Sequence, residues 1–273
     1  MTEGVPTTTI DAGSLRPPPL WQLPLEALSL LECVLGIVAM PVLMRASRGD
    51  GHPVLVLPGL LAADGSTALL RWYLARLGYR PFGWELGRNV KSIGNSEPKL
   101  RARLAEVGER SGGKVSLVGW SLGGVLARLL ARAMPDHVRR VITLGSPCST
   151  LFATNAAKVY ARASGEHLND ISLEVRREVA GDLSVPATSI YSRLDAVVAW
   201  RSSVITESER AENIEVPASH IGLGFNPAVL WTVADRLAQA DGEFTPFACG
   251  GPFRFAHPRR IGAVAVRSHQ IGT

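Results

Sequence analysis

The segment that most constrains the fold is a short strand, a glycine-rich turn and a helix in direct succession. The strand is predicted over Lys114–Val118, the turn has the sequence GWSLGG over Gly119–Gly124, and a helical pattern follows over Leu122–Met134. A serine between glycines at such a junction sits in a sharp turn that projects its hydroxyl above the edge of a sheet. The amides that open the next helix, Leu122 N–H first, point at negative charge that develops there. The segment therefore predicts that Ser121 is a nucleophile.

Apolar strands alternate with helices on both sides of this segment. We predict strands over residues 53–57, 79–86, 138–144 and 188–191, and helices over residues 66–77, 97–110 and 226–240. Such alternation is typical of a parallel sheet covered on both faces. We therefore expect an α/β fold with a mostly parallel central sheet flanked by helices, of the α/β-hydrolase kind, over residues 51–240.

Three regions lie outside the simple alternation. Residues 1–50 are expected to form a flexible leader and an apolar helical extension, and residues 241–273 a tail without a clear period. Residues 149–185 separate two strands by more than an ordinary connection, with helices predicted over 152–163 and 171–180. We expect this insertion to act as a small cap or lid over the site.

The apolar run Ala27–Met44 is interrupted only by Ser29, Glu32 and Gly36. It approaches the length of a membrane span, but a carboxylate near its middle is costly in hydrocarbon. Acidic side chains ahead of it and the lack of a basic region disfavour a signal peptide. In decreasing order we expect a helix packed on the catalytic domain, an interfacial anchor over residues 20–44, or a membrane span. The expected location is cytoplasmic, with membrane-surface association as the alternative.

Charge and cysteine content argue against a nucleic-acid-binding protein and against a metal-binding protein. The formal net charge is +5, and the arginines are scattered over helices rather than gathered into a block, so no nucleic-acid partner is expected. Cys33, Cys148 and Cys249 lack zinc-type spacing, and no metal site or cofactor is expected.

A serine nucleophile needs a histidine as base and an acid to orient it, in the chain order serine, acid, histidine for this fold. His220 lies in a loop ahead of the last helix, and Asp195 follows the strand before it. The remaining histidines lie beneath the strands, in the insertion or in the tail: His52, His137, His167, His257 and His269. Between Asp195 and His220 lie Glu207, Glu209, Glu212 and Glu215, most of which we expect to be solvated. The predicted catalytic residues are therefore Ser121, Asp195 and His220.

The segments Thr188–Asp195 and Ser219–Leu223 resemble the acid and histidine segments of small bacterial lipases of the Bacillus lipase A type. The resemblance extends over about residues 52–239 and implies a compact α/β-hydrolase that acts on acyl esters without a metal. It also places the second oxyanion donor on the amide of Leu60. The chain departs from this family at Pro58 and Trp120, where histidine is common.

The expected reaction is hydrolysis of short- to medium-chain acyl esters, or of a lipid, through an acyl-enzyme. Leu61, Trp120 and Trp200 are predicted to line an apolar acyl pocket. The alternatives are an acyltransferase or thioesterase that uses the same triad, and a non-catalytic binding protein with a hydrolase fold. The oligomeric state stays open.

Overall fold

The protein is described from a computed structural model that covers residues 8–257 and 264–267. Its strands are β1 (Thr8–Asp11), β2 (Pro53–Leu57), β3 (Arg80–Gly83), β4 (Val115–Trp120), β5 (Val138–Leu144), β6 (Ala187–Tyr191), β7 (Ala211–Glu215) and β8 (Val264–Arg267). Its α-helices are α1 (Leu28–Val38), α2 (Met40–Leu43), α3 (Ala68–Arg76), α4 (Ile93–Ser111), α5 (Leu122–Ala133), α6 (Ala157–Ser164), α7 (Leu173–Ala180), α8 (Trp200–Ser203) and α9 (Pro227–Leu237).

Six strands form one sheet in the order β3-β2-β4-β5-β6-β7, and every neighbouring pair is parallel. Successive residues of a strand point to opposite faces, and both faces are covered. Along β2, Val54 and Val56 join one core with α3 and α9, whereas Leu55 and Leu57 join a second core with α4 and α5. The predicted α/β class, with a parallel sheet between helices, is confirmed.

The edge strand β7 was not predicted, because its sequence Ala-Glu-Asn-Ile-Glu carries two acids. Ile214 packs in the core, while Glu212 is buried and accepts a hydrogen bond from Arg236 at 2.7 Å. Of the four acids expected to be mostly solvated, only Glu209 is exposed. Glu212 is thus buried next to its partner Arg236 on α9, and this long-range pairing cannot be recognised from the local sequence.

Within the described residues, the predicted flexible leader and the unassigned tail each contain a strand. Strand β1 pairs in parallel with β8, from Thr8 opposite Val264 to Asp11 opposite Arg267. Ile10 and Val264 are buried in a small cluster with Tyr191. The pairing joins segments about 250 residues apart, which sequence periodicity does not reveal. His269 lies outside the described residues.

The N-terminal segment (residues 20–44) is helical, as predicted, and packs on the domain. A 3₁₀ run over Leu20–Ala27 leads into α1, which contacts α9 and the loop before it. The approach is close, because a Cβ at Gly36 would overlap the carbonyl oxygen of Phe225. By length and composition Leu20–Val38 also suits a membrane span, with a mean hydropathy of 1.4 and only 17% of the stretch buried.

Candidate active site

The turn after β4 has the backbone of a nucleophile elbow. Ser121 adopts φ 53° and ψ −122°, a region that non-glycine residues rarely occupy, because it costs energy and persists only where the surroundings enforce it. A Cβ at Gly119 would lie 2.5 Å from the amide nitrogen of Gly124, and one at Gly123 would lie 2.7 Å from the Pro58 carbonyl oxygen. The flanking glycines are therefore required by backbones that pass too closely for a side chain.

The carboxyl ends of β4, β6 and β7 bring the three predicted catalytic residues together. His220 Nε2 lies 3.0 Å from Ser121 Oγ, and His220 Nδ1 lies 2.7 Å from Asp195 Oδ2. Both His220 and Asp195 are buried. A proton on Nδ1 that is donated to Asp195 leaves Nε2 free to accept the serine proton, which is the arrangement that activates a hydroxyl for attack.

Two opposing effects set the basicity of His220. Burial disfavours the imidazolium, but the Asp195 carboxylate, its hydrogen bond and the nearby charge of Glu26 favour it. The net result is a pKa of His220 above its ordinary value of 6.5. The imidazole is therefore a stronger base than a free histidine.

The acid is fixed by its own loop, residues 192–199, called the acid loop. Asp195 Oδ1 accepts hydrogen bonds from the amides of Val197 at 2.9 Å and Val198 at 2.7 Å. Gly145 lies beneath the pair: its φ is +54°, and a Cβ there would lie 3.0 Å from Asp195 Oδ2 and 3.2 Å from His220 Nδ1. Sequence analysis assigned no role to Gly145. Its position directly after β5, at the sheet edge that carries the catalytic residues, could have indicated one.

The predicted oxyanion donors, Leu60 and Leu122, line the same cavity as Ser121. Within the described residues, neither amide N–H donates a hydrogen bond to another group. The loop that carries Leu60 is braced by Asn89, whose side chain donates to the Pro58 carbonyl at 2.9 Å. Asn89 is fully buried and is a supporting residue that sequence reasoning missed.

An apolar cavity of ≈40 Å³ opens beside Ser121. Half of its lining comes from the insertion: Leu151, Thr154, Ala156, Ala157, Tyr160 and Leu168. The insertion thus forms one wall of the space next to the nucleophile.

That wall is bonded to the acid loop. The backbone N–H of Asn155 donates to Val197 O at 2.8 Å, and its side-chain Nδ2 donates to Ala196 O at 2.9 Å. Its far end is held on α5, where the buried Arg128 donates to Val179 O at 2.6 Å. In this structure the insertion is therefore bonded both to the acid loop and to α5.

The three predicted substrate contacts lie outside the cavity lining. Trp120 is 9% exposed and donates from Nε1 to His220 O at 3.1 Å, so it supports the histidine from below. The side chain of Leu61 is exposed on the loop next to Leu60. Trp200 stacks on Tyr191 with 5.6 Å between ring centroids and lines a second groove, which Asp195 also lines. Trp120 thus supports the loop that carries His220, and Trp200 packs against the end of β6.

Two carboxylates from the N-terminal segment reach the histidine loop (residues 216–226). Glu26 accepts hydrogen bonds from the amides of His220 at 3.0 Å and Ile221 at 2.8 Å, and also from Ala196 N at 3.1 Å. Glu32 accepts from the amide of Ser219 at 3.2 Å. Sequence reasoning noted Glu32 only as a cost in hydrocarbon and gave Glu26 no role.

The elbow, the parallel sheet and the buried Asp–His pair define the α/β-hydrolase fold. A family model described as alpha/beta hydrolase fold matches residues 110–164. The structure is similar to Aspergillus fumigatus lipase B (17% identity, TM-score 0.54), where the match covers 71% of this chain and 54% of the lipase. It is also similar to mature Bacillus licheniformis lipase BlEst2 (16% identity, TM-score 0.54), covering 72% of this chain and 95% of that one.

These likenesses, at such low identity, show the fold alone. The match spans about half the length of the fungal lipase. No curated protein matches the sequence significantly.

Proposed function

We propose that this protein is a serine hydrolase that cleaves carboxylic esters with short- to medium-chain acyl groups. The observation that carries the proposal is the continuous hydrogen-bonded chain from Ser121 Oγ through His220 to Asp195, at 3.0 and 2.7 Å. The adjacent cavity is apolar, which suits an acyl chain.

The reaction begins when Ser121 Oγ attacks the ester carbonyl carbon and His220 Nε2 takes its proton. Asp195 holds the imidazole in the required tautomer and stabilises the imidazolium. The amides of Leu60 and Leu122 donate to the oxyanion of the tetrahedral intermediate. His220 then returns the proton to the leaving alcohol, and a water molecule hydrolyses the acyl-enzyme by the same route.

A chain-length series of p-nitrophenyl esters, from acetate to palmitate, tests the proposal. We expect the highest kcat/KM between acetate and octanoate, and a loss of at least about 10³-fold in Ser121→Ala and His220→Ala. His137→Ala is the matched control, because His137 is exposed and lies at the opposite end of the sheet. Full activity in Ser121→Ala, or equal losses in both histidine variants, would contradict the assignment.

The same assay separates hydrolysis from acyl transfer. We expect water to be the main acceptor, so that added alcohol or coenzyme A does not raise the rate of p-nitrophenol release. A product that carries the acyl group on the added acceptor, at the expense of free acid, would instead favour a transferase.

A further inference from the structure

Helix α1 packs with its polarity reversed. The face against the domain carries Ser29, Glu32 and Gly36, at helical spacing, and all three are buried. The outward face carries large apolar side chains, among them Leu30 at 75% and Val38 at 69% exposure. A helix on the surface of a water-soluble protein shows the opposite arrangement, with its apolar face towards the core.

Exposed apolar side chains are concentrated on this one segment. Of seventeen exposed large hydrophobic residues in the described part of the chain, ten lie within Leu20–Val38. Trp21 is 74% exposed near one end, a residue type that favours membrane–water boundaries. Leu194 and Ile221 add exposed apolar side chains on the acid and histidine loops, which Glu26 binds. Such a concentration of exposed apolar side chains marks an interaction surface.

The charges around the patch suit an anionic lipid surface. The only acids between residues 20 and 44, Glu26 and Glu32, are both bonded to the domain instead of facing outward. The cations that flank the segment, Arg16 before it and Arg45 and Arg48 after it, are exposed. An apolar helical face bounded by arginines is the pattern of a segment that lies in the headgroup region of a bilayer.

We propose that the apolar face of Leu20–Val38 binds the surface of an anionic lipid bilayer, with the helix lying in the interface. A span across the bilayer would place Glu26 and Glu32 in hydrocarbon and break their bonds to the acid and histidine loops. Docking on the surface keeps those bonds. The same loops hold Asp195 and His220, so the segment that binds lipid is bonded to the elements that carry the active site.

Flotation of the full chain with vesicles tests this surface. We use vesicles of phosphatidylcholine alone and of phosphatidylcholine with phosphatidylglycerol, and the Ser121→Ala protein in parallel, so that binding is read independently of hydrolysis. Leu35→Asp and Leu173→Asp form a matched pair, since both leucines are 46% exposed but only Leu35 lies in the patch. We expect binding to the anionic vesicles, weakened at least about tenfold by Leu35→Asp and unchanged by Leu173→Asp.

Three results would overturn the proposal. Equal binding of both aspartate variants would show that the patch is not the contact. Protein that resists extraction by alkaline carbonate would indicate a span instead of a surface contact. A concentration-dependent dimer that Leu35→Asp dissociates, with no vesicle binding, would assign the face to a second copy of this chain.

A second inference rests independently on the hydrogen bonds of Glu26. We propose that Glu26 is a positioning residue for the reaction proposed above, since its carboxylate joins the acid loop at Ala196 to the histidine loop at His220 and Ile221. The charged groups that face His220 are Asp195 and Glu26, with Glu32 bonded to the neighbouring Ser219.

Glu26→Gln tests this role, because it keeps the shape, removes the charge and replaces one accepting oxygen with an NH2 group that cannot accept from the loop amides. We expect a lower kcat with little change in KM, and a lower pKa of His220 by NMR titration of its imidazole, matched by an acid limb of kcat/KM shifted to lower pH. A variant that is only less stable, with the pKa of His220 unmoved, would contradict the role. The NMR titration measures the pKa of His220 even if the protein does not hydrolyse esters. A failure of the role of Glu26 can therefore be distinguished from a failure of the proposed hydrolase activity.

Discussion

Replacing Glu32 with alanine removes a buried carboxylate that holds the histidine loop. Glu32 is 7% exposed and accepts hydrogen bonds from the Ser219 amide at 3.2 Å, the Ser219 hydroxyl at 2.5 Å and Asn226 Nδ2 at 2.9 Å. In Glu32→Ala the hydroxyl can rotate to another acceptor. The Ser219 N–H and one amide proton of Asn226 stay buried without a partner.

The expected loss in the free energy of unfolding follows from those two unpaired donors. Each buried donor left unpaired costs about 1–3 kcal/mol, which gives about 2–6 kcal/mol for the pair. Removing a buried charge relieves part of its desolvation, and water can enter the gap, so we expect about 2–4 kcal/mol lost from the free energy of unfolding. For a chain of this size that corresponds to a fall in Tm of about 4–16 °C.

Thermal and urea unfolding, followed by circular dichroism, measure the loss. The control is Glu97→Ala on α4, where an exposed carboxylate pairs with Arg101 one turn away. We expect that control to shift Tm by less than about 2 °C. If Glu32→Ala shifted Tm no more than Glu97→Ala, the described docking of the N-terminal segment on the histidine loop would be refuted.

Three further predictions concern the site. Gly123→Ala should abolish ester hydrolysis and lower the free energy of unfolding in urea by about 1–3 kcal/mol, because its Cβ would collide with the Leu57 and Pro58 carbonyls. The control Gly113→Ala places its Cβ with no atom within 4 Å, and should leave activity and stability unchanged. Ala157→Trp should fill the cavity beside Ser121 and lower kcat/KM for octanoate at least about tenfold more than for acetate; equal losses would place the acyl chain elsewhere. Catalysis needs neutral His220, whose pKa is raised, so the acid limb of the pH profile of kcat/KM should lie above pH 6.5, and a limb below 6.5 would contradict this.

The sheet and the order of the triad could be predicted because both depend on local pattern. The apolar strand before Gly119 and the helix after Ser121 reveal the elbow directly, and chain order then selects Asp195 and His220. The strand β7 was missed because its pairing partners, and not its own residues, make it a strand.

The surroundings of the triad depend on long-range contacts that no local pattern carries. Glu26 and His220 are 194 positions apart, so their hydrogen bond appears only in the folded chain. For the same reason, the hydrogen bond that Trp120 Nε1 donates to the carbonyl of His220 could not be predicted from sequence.

Covalent labelling tests directly whether Ser121 is the nucleophile. The intact protein is treated with a fluorophosphonate, digested, and analysed by mass spectrometry. We predict one phosphonyl group, on the peptide that contains Ser121, with no labelling of Ser121→Ala and strongly slowed labelling of His220→Ala. An unlabelled wild-type protein, or a label on another serine that persists in Ser121→Ala, would contradict it.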